Sequence, residues 1–214
     1  MGWYKRARTW NQEMNTHMEG IGYTATEMDP AVYVKSTWNQ ADFAAGGFWV
    51  DDFIGIGSGK EFNALAKSVD VKYSITGLGD IKWVLGMLIE RNRAARTIYI
   101  SQEALINSTQ FNLTDTAPLS MPLAPSTCLS AAGSPTYQEE KNDMTTRPYR
   151  ELVGALDWLT LGTRLDIAFA MSSLARFGHN PGRVHWEAAK NVLRYLKGTR
   201  GVAAQAWWRP TSNR

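Results

Sequence analysis

The stretch Ala44-Ala45-Gly46-Gly47-Phe48-Trp49-Val50-Asp51-Asp52-Phe53-Ile54-Gly55-Ile56-Gly57 decides the reading of this chain, because two adjacent carboxylates stand between two apolar, β-favouring runs. Each run has the length and composition of a short strand. The spacing therefore predicts a β-hairpin with Asp51 and Asp52 in its tight connection. Carboxylates held at a rigid sheet edge suit divalent-metal chemistry, in which two ions roughly 3.5–4 Å apart are gripped by hard oxygen ligands beside a phosphate. A solvated Asp-Asp turn has the same local sequence, so the rest of the chain must discriminate.

The 214 residues are 44% hydrophobic and 20% charged, the composition of an ordinary folded protein. No stretch approaches the roughly 20 apolar residues that span a bilayer, and the basic, Trp-rich N-terminus has no signal-peptide core, so the expected location is inside the cell with no membrane partner. Cys128 is the only cysteine, which excludes an internal disulfide. The net charge of +3 hides an uneven distribution. Lys5, Arg6 and Arg8 face no acid within residues 1–10, and residues 145–200 hold nine Lys/Arg against Glu151, Asp157, Asp166 and Glu187. The middle of the chain is acidic. Basic ends of this kind suit a phosphate backbone or a solvated helix face.

Tyr4 to Met18 reads as a helix stopped by Gly20 and Gly22, and Ala31 to Lys35 as a strand. After the hairpin, Ser58 to Tyr73 reads as a helix with Ser58 as its N-cap. Lys82–Arg91 and Thr97–Ile100 form a second predicted hairpin, and Ser101 starts a helix expected to run to about Phe111. From Ala117 to Pro148, five prolines and no helical or strand period read as a linker. Three amphipathic helices follow, near 148–162, 165–178 and 184–198. The expected class is α+β: an antiparallel sheet with covering helices in 1–116, a Pro/Ser-rich linker in 117–147, an all-helical part in 148–200, and a tail in 201–214.

Projected at 100° per residue, the last helix places Trp186, Ala189, Val192, Leu193 and Leu196 on one side. Arg183, Lys190, Arg194 and Lys197 fall in a narrow sector beside them. That stripe is the candidate nucleic-acid contact. His185 projects to the apolar side and is expected to be a packed, hydrogen-bonded core residue.

These segments resemble the reverse transcriptase of copia-type retrotransposons. Residues 2–11 are similar to its GLKQAxRxWN segment, Trp49-Val50-Asp51-Asp52 to YVDD, and Gly77-Leu78-Gly79-Asp80 with Leu85-Gly86 to DLG…FLG. Ile100-Ser101-Gln102 corresponds to its LSQ step. Pro148–Gly154, Thr163–Ala168, His185-Trp186 and Arg194–Thr199 resemble YRxLVG, TRPDIA, HW and RYLKGT, in that order. The resemblance implies a palm sheet followed by a helical thumb or connection region, and the activity of an RNA-directed DNA polymerase. A non-catalytic nucleic-acid-binding remnant is the alternative it leaves open.

Asp51 and Asp52 would be the catalytic carboxylates and ligands of magnesium, or manganese. Lys5 stands where the family has Gln beside the incoming nucleotide. Leu85 and Gly86 would belong to a primer-gripping hairpin, and Arg164 would join Arg183, Lys190, Arg194 and Lys197 in holding an RNA or DNA template-primer. Fingers with a third metal-binding Asp are implied upstream and an RNase H portion downstream. The stretch alone is therefore expected to be inactive or feeble, acting within a cytoplasmic particle or the nucleus. Leu165 departs from the family's Pro, and Asp157 interrupts an apolar helix. A palm face that normally packs on the fingers would leave an exposed apolar patch.

Overall fold

The computed structural model describes residues 3–36, 42–49, 52–77, 79–107 and 117–207. The chain divides into two compact units, Met1–Ile81 and Lys82–Arg214. Among the described residues each unit carries one antiparallel four-stranded sheet.

The first unit runs α1 (Trp3–Gly20), β1 (Thr24–Ala25), β2 (Val32–Ser36), β3 (Phe43–Trp49), β4 (Asp52–Gly57) and α2 (Gly59–Tyr73), with strand order β1-β2-β3-β4. Helix α1 ends as the glycines predict. Gly22 takes φ +84, the Gly22 N–H donates to the Glu19 carbonyl, and the Tyr23 N–H donates to the Met18 carbonyl at 2.9 Å. This is the paired hydrogen bonding of a Schellman motif, and its hydrophobic contact is present too, since Met18 and Tyr23 share one core cluster. Met14 and Met18 bury one stripe of α1, while Trp10 and His17 meet the Tyr73 ring edge-on at 5.1 and 5.7 Å.

The predicted hairpin forms in register, with Trp49 opposite Asp52 and Gly46 opposite Gly55. Period-2 alternation turns Ala44, Gly46 and Phe48 toward the helices. The inner face is made of small residues for a steric reason. A Cβ on Gly46 would lie 2.6 Å from the Phe53 ring and 3.2 Å from Leu65, and one on Gly55 would lie 2.6 Å from the Phe62 ring, so this glycine pair is the floor on which α2 rests. The opposite sheet face leaves Val34, Phe43, Trp49 and Ile56 exposed, an apolar patch.

The second unit contains β5 (Trp83–Val84), β6 (Met87–Asn92), β7 (Thr97–Ser101), α3 (Glu103–Ile106), α4 (Gln138–Thr145), α5 (Tyr149–Gly162), α6 (Ala168–Ala175), α7 (Arg183–Gly198) and β8 (Ala204–Trp207). Helices α5, α6 and α7 bury Leu152, Leu156, Leu159, Met171, Leu174, Val192 and Leu196 among one another. All three appear where the periodicity places them, the middle one entered through a 3-10 turn over Leu165–Ile167.

Four expectations are corrected. The regular elements of 148–200 are all helical as expected, but residues 204–207 of the expected tail add to β7 as an edge strand, giving the order β5-β6-β7-β8. The division falls at Ile81/Lys82, so the second hairpin shares a compact unit with the helices. The helix after Ser101 stops at Ile106, and residues 108–116 lie outside the described residues.

The fourth concerns the expected linker, which is a strap laid along α7. Arg194 Nε donates to the Ala117 carbonyl at 2.8 Å, and Leu123 and Leu129 pack on the core. Glycines 133 and 182 approach so closely that a Cβ on Gly182 would collide with the Gly133 carbonyl. Proline removes backbone donors, so such a segment holds its place by side-chain and carbonyl contacts rather than by a periodic ladder.

Gly57 is the least replaceable residue of the hairpin, because its Cβ would meet backbone: the Phe43 carbonyl at 2.6 Å and Ala44 Cα at 2.9 Å. Gly57→Ala is expected to destabilise the chain by about 1–3 kcal/mol, the usual cost of overpacking, read from the shift of its urea unfolding midpoint.

Candidate metal and nucleic-acid site

Asp52 is the first residue of β4 and is exposed. Its pairing with Trp49 leaves only Val50 and Asp51 to join the strands, and both lie outside the described residues. Alternation puts the Asp52 side chain on the open sheet face, in line with Ile54 and Ile56. Among the described residues no three His, Cys, Asp or Glu side chains converge in a way that could hold a metal ion. One described carboxylate does not make a two-metal centre, so the described residues by themselves do not fit one. Lys5 belongs to α1, but its side chain lies outside the described residues.

The expected strand from Lys82 to Arg91 breaks at Leu85 and Gly86. They form a two-residue turn between the paired Val84 and Met87, with φ +49 and +78. Positive φ at both positions is the type I′ pattern that suits strand twist, and it is unfavourable for Leu, which lacks the freedom of Gly, Asn or Asp.

The basic stripe exists on α7, yet its cations have partners within the chain. Lys190 pairs with Glu187 at 2.8 Å. Arg194 holds the Ala117 carbonyl, as above, and donates to Asn191 Oδ1 at 3.4 Å. Arg147's hydrogen bond holds the Asp143 carboxyl below its ordinary range, and Arg183's charge acts in the same direction. Lys197 is half-buried.

Arg164 is corrected from a nucleic-acid contact to a structural residue. Its side chain is 0% exposed. It grips Asp166 through two hydrogen bonds, Nε to Oδ1 at 3.0 Å and Nη2 to Oδ2 at 2.7 Å. Its remaining reach goes to the Thr199 carbonyl at 3.1 Å and the Thr199 hydroxyl at 2.5 Å, with its guanidinium over the Tyr195 ring. The Tyr195 hydroxyl donates to Asp166 Oδ2 at 2.8 Å. The arrangement joins the α5–α6 turn to the last turn of α7. Hydrogen bonding from Arg164, and then from Tyr195, holds the Asp166 carboxyl below the usual range although burial opposes it.

Two further groups have structural roles. Gln102 is buried, accepts from the Thr163 hydroxyl at 2.9 Å and donates to the Trp158 carbonyl at 3.2 Å, tying β7 to the end of α5. His185 is buried as expected. Its Nδ1 accepts from the Gly182 N–H at 2.9 Å, which leaves Nε2 as the donor to the Ser130 carbonyl at 3.1 Å, and the neutral ring stacks on Phe177 at 3.9 Å. Burial lowers its pKa below the ordinary imidazole value, against the opposing hydrogen bond to Ser130. Asp157 is exposed, so it carries no burial cost. The Gln102–Thr163 and Arg164–Asp166–Tyr195–Thr199 networks were missed in the sequence. The available signals were Arg and Asp two residues apart in one block, and Tyr and Thr four apart on one helix.

Comparison with known proteins shows that the chain is similar to a region of retrotransposon Pol polyproteins. Homologues that match about nine-tenths of its length include Pol polyproteins of copia-type retrotransposons. It is 39% identical over 201 residues to the retrovirus-related Pol polyprotein from transposon TNT 1-94 of Nicotiana tabacum, covering 91% of this chain and 15% of the relative. It is 29% identical to the putative transposon Ty5-1 protein of Saccharomyces cerevisiae, covering 90% of this chain and 61% of that protein. It is also 29% identical to the Pol polyprotein from transposon RE1 of Arabidopsis thaliana, over 90% of this chain and 13% of the relative. The chain thus spans between about an eighth and three-fifths of these relatives. No protein-family model and no solved structure matches it. Among the described residues no helix is long and apolar enough to cross a membrane.

Removing the charge of Asp166 leaves Arg164 buried with only Thr199 and the Tyr195 ring. Asp166→Asn is expected to lower stability at neutral pH by about 1–3 kcal/mol, less than for a fully buried pair because the Asp166 side chain is 36% exposed. The Asp166 pKa is depressed on folding, so its contribution is present above the unfolded value near 3.9 and is lost as pH falls through the folded value. Urea unfolding of the two proteins should therefore differ at pH 7 and converge in acid.

Proposed function

We propose that the chain is the palm and thumb or connection part of a copia-type reverse transcriptase, an RNA-directed DNA polymerase. The observation that carries this reading is the hairpin. Two short strands in tight register present Asp52 on an open sheet face, with Asp51 next to it in sequence, and that pair lies within the stretch that is 39% identical over 201 residues to a Pol polyprotein. Asp51 and Asp52 would supply two carboxylates to a magnesium or manganese ion, with its further ligands supplied from outside the described residues, and such an ion would supply activation of the primer 3′-hydroxyl and neutralisation of charge on the incoming dNTP.

This chain's own part is to hold two acidic groups on a stiff support, close to where template and primer lie. Lys5 acts at the nucleotide, and Leu85 and Gly86 bring backbone close to the primer in a turn whose shape is fixed by its two positive φ values. Lys190 and Arg194 contact phosphate only by exchanging their internal partners. That predicts weaker binding than four free cations would give. The complete enzyme works in an intracellular particle or in the nucleus.

Primer extension on an RNA template with magnesium or manganese tests the reading, comparing the chain with Asp51→Asn. Extension by the parent chain and its loss in Asp51→Asn, by 10²-fold or more on the order of a removed catalytic group, is the expected result when the upstream polyprotein segment is supplied. Template-primer binding without extension in either protein would instead identify a non-catalytic remnant.

A further inference from the structure

The third residue of α7 is a histidine with both ring nitrogens engaged. His185 has no exposed surface, and at its position a side chain that reaches back to the N-cap N–H closes the first turn, a role that Glu or Gln usually fills. Its Nδ1 accepts from the Gly182 N–H at 2.9 Å, and its Nε2–H donates to the Ser130 carbonyl at 3.1 Å. One contact starts the helix, and the other holds the strap across it. Phe177 covers the ring in a near-parallel stack, with 15° between the planes.

That arrangement fits only the neutral ring. An imidazolium has two N–H donors and no acceptor, so a proton on Nδ1 would face the Gly182 N–H, donor against donor. A buried cation also needs a carboxylate, and the charged groups around this ring supply none. Residues 129–136 of the strap carry no charge. On α7 the nearest are Arg183 and Glu187, and Glu187 is paired with Lys190 at 2.8 Å. At the end of α6, Arg176 lies over the Phe177 ring, and His179 lines the same cleft as Phe177. On α4, Asp143 is held by Arg147 at 2.9 Å. Both acids are committed elsewhere.

A charged ring must reach water, and the cover that yields is the one held least. Helices α6 and α7 are joined by a shared core containing Leu174, Ala189, Val192 and Leu196, and the Arg164 network fixes the end of α7. Beyond Leu129 and the buried Pro135, the strap beside His185 has a three-residue 3-10 turn over Ala131–Gly133, the Ser130 carbonyl contact and one long hydrogen bond, Asn180 Nδ2 to the Pro135 carbonyl at 3.5 Å. The strap is the weaker hold. Its departure opens the Nε2 side of the ring to solvent.

We infer that His185 is an acid-operated latch: its neutral ring fastens residues 129–136 over the start of α7, and a proton on Nδ1 releases that segment while the helices stay packed. Burial lowers the folded pKa below the unfolded value near 6.5. The stability that the latch contributes is therefore whole above that value and is lost as pH falls toward the folded one. Neither the Asp51–Asp52 hairpin nor a metal takes part, so the latch and the polymerase reading fail or stand separately.

Cys128, the only cysteine, is exposed two residues before Ser130, and a nitroxide spin label on it reports the strap in the full chain. Its mobility is recorded from about pH 7.5 to about pH 5, the range in which histidine titrates, with far-UV circular dichroism alongside. Below about pH 6.5 the ratio of mobile to docked label should rise by up to about tenfold per pH unit, the slope of one proton, with the helix signal unchanged. His185→Gln keeps one acceptor and one donor but does not titrate, so it should abolish the transition, whereas His179→Gln should keep it. Should His185→Gln fail to fold, nitrogen NMR of the parent chain decides: the His185 ring should pass from its Nε2-protonated neutral form to imidazolium at the midpoint of the label's transition. A transition that survives in His185→Gln, a label that stays docked throughout, a ring still neutral once the label is mobile, or loosening that coincides with loss of helix signal would each overturn the latch.

Discussion

A guanidinium with no exposed surface is the constraint on which the helical unit depends. Taking an arginine out of water costs several kcal/mol unless its charge and its donors are met, and Arg164 meets that demand with one carboxylate, one hydroxyl, one carbonyl and one ring. Those partners come from two places in sequence, Asp166 just after the α5–α6 turn and Tyr195 to Thr199 at the end of α7. The charge is tolerable only when both are present together. Apolar packing among Leu152, Leu156, Leu174 and Leu196 supplies most of the driving force but tolerates small slips in register, whereas a bidentate pair does not. The network thus fixes where α7 ends, and β8 begins six residues after Gly198.

The first unit is organised by the opposite device, the removal of side chains. Gly46, Gly55 and Gly57 lower the surface of the β3–β4 hairpin until α2 can settle on it and the strands can close together. Glycine weakens a strand by backbone entropy, roughly 0.5–1 kcal/mol each relative to alanine, so three in one hairpin represent a real loss. It is offset by burial of Leu65 and Val69 against the sheet. The same choice makes a stiff, thin support for Asp52 at the start of β4.

How far the sequence could be read follows from the range of the forces involved. Helices α1, α2, α5, α6 and α7 and the β3–β4 hairpin were legible, since periodicity and caps are local and near-continuous in sequence. The burial of His185 was legible for the same reason. Strand β8 was not, because four residues of tail carry no period of their own and become a strand only through β7, more than a hundred residues earlier. The strap at 117–136 failed for a related reason, being held by Arg194, Gly182 and His185 rather than by its own backbone. At the candidate site, the pairing that presents Asp52 was readable, whereas the burial of Arg164 and the internal partners of the α7 cations depend on contacts between distant residues.

The polar residues of the motif blocks fall into two physical kinds. Gln102, Thr163, Arg164, Asp166, His185, Tyr195 and Thr199 are tied into hydrogen-bond networks around buried groups, and losing one leaves a partner unsatisfied. Asp52 has no such obligation: it is exposed and opens an exposed face, and the fold would stand with a neutral residue in its place. A charged residue standing where stability does not ask for it is the stronger sign of chemistry. By that measure the hairpin, and not the basic stripe of α7, is where the functional argument for this chain rests.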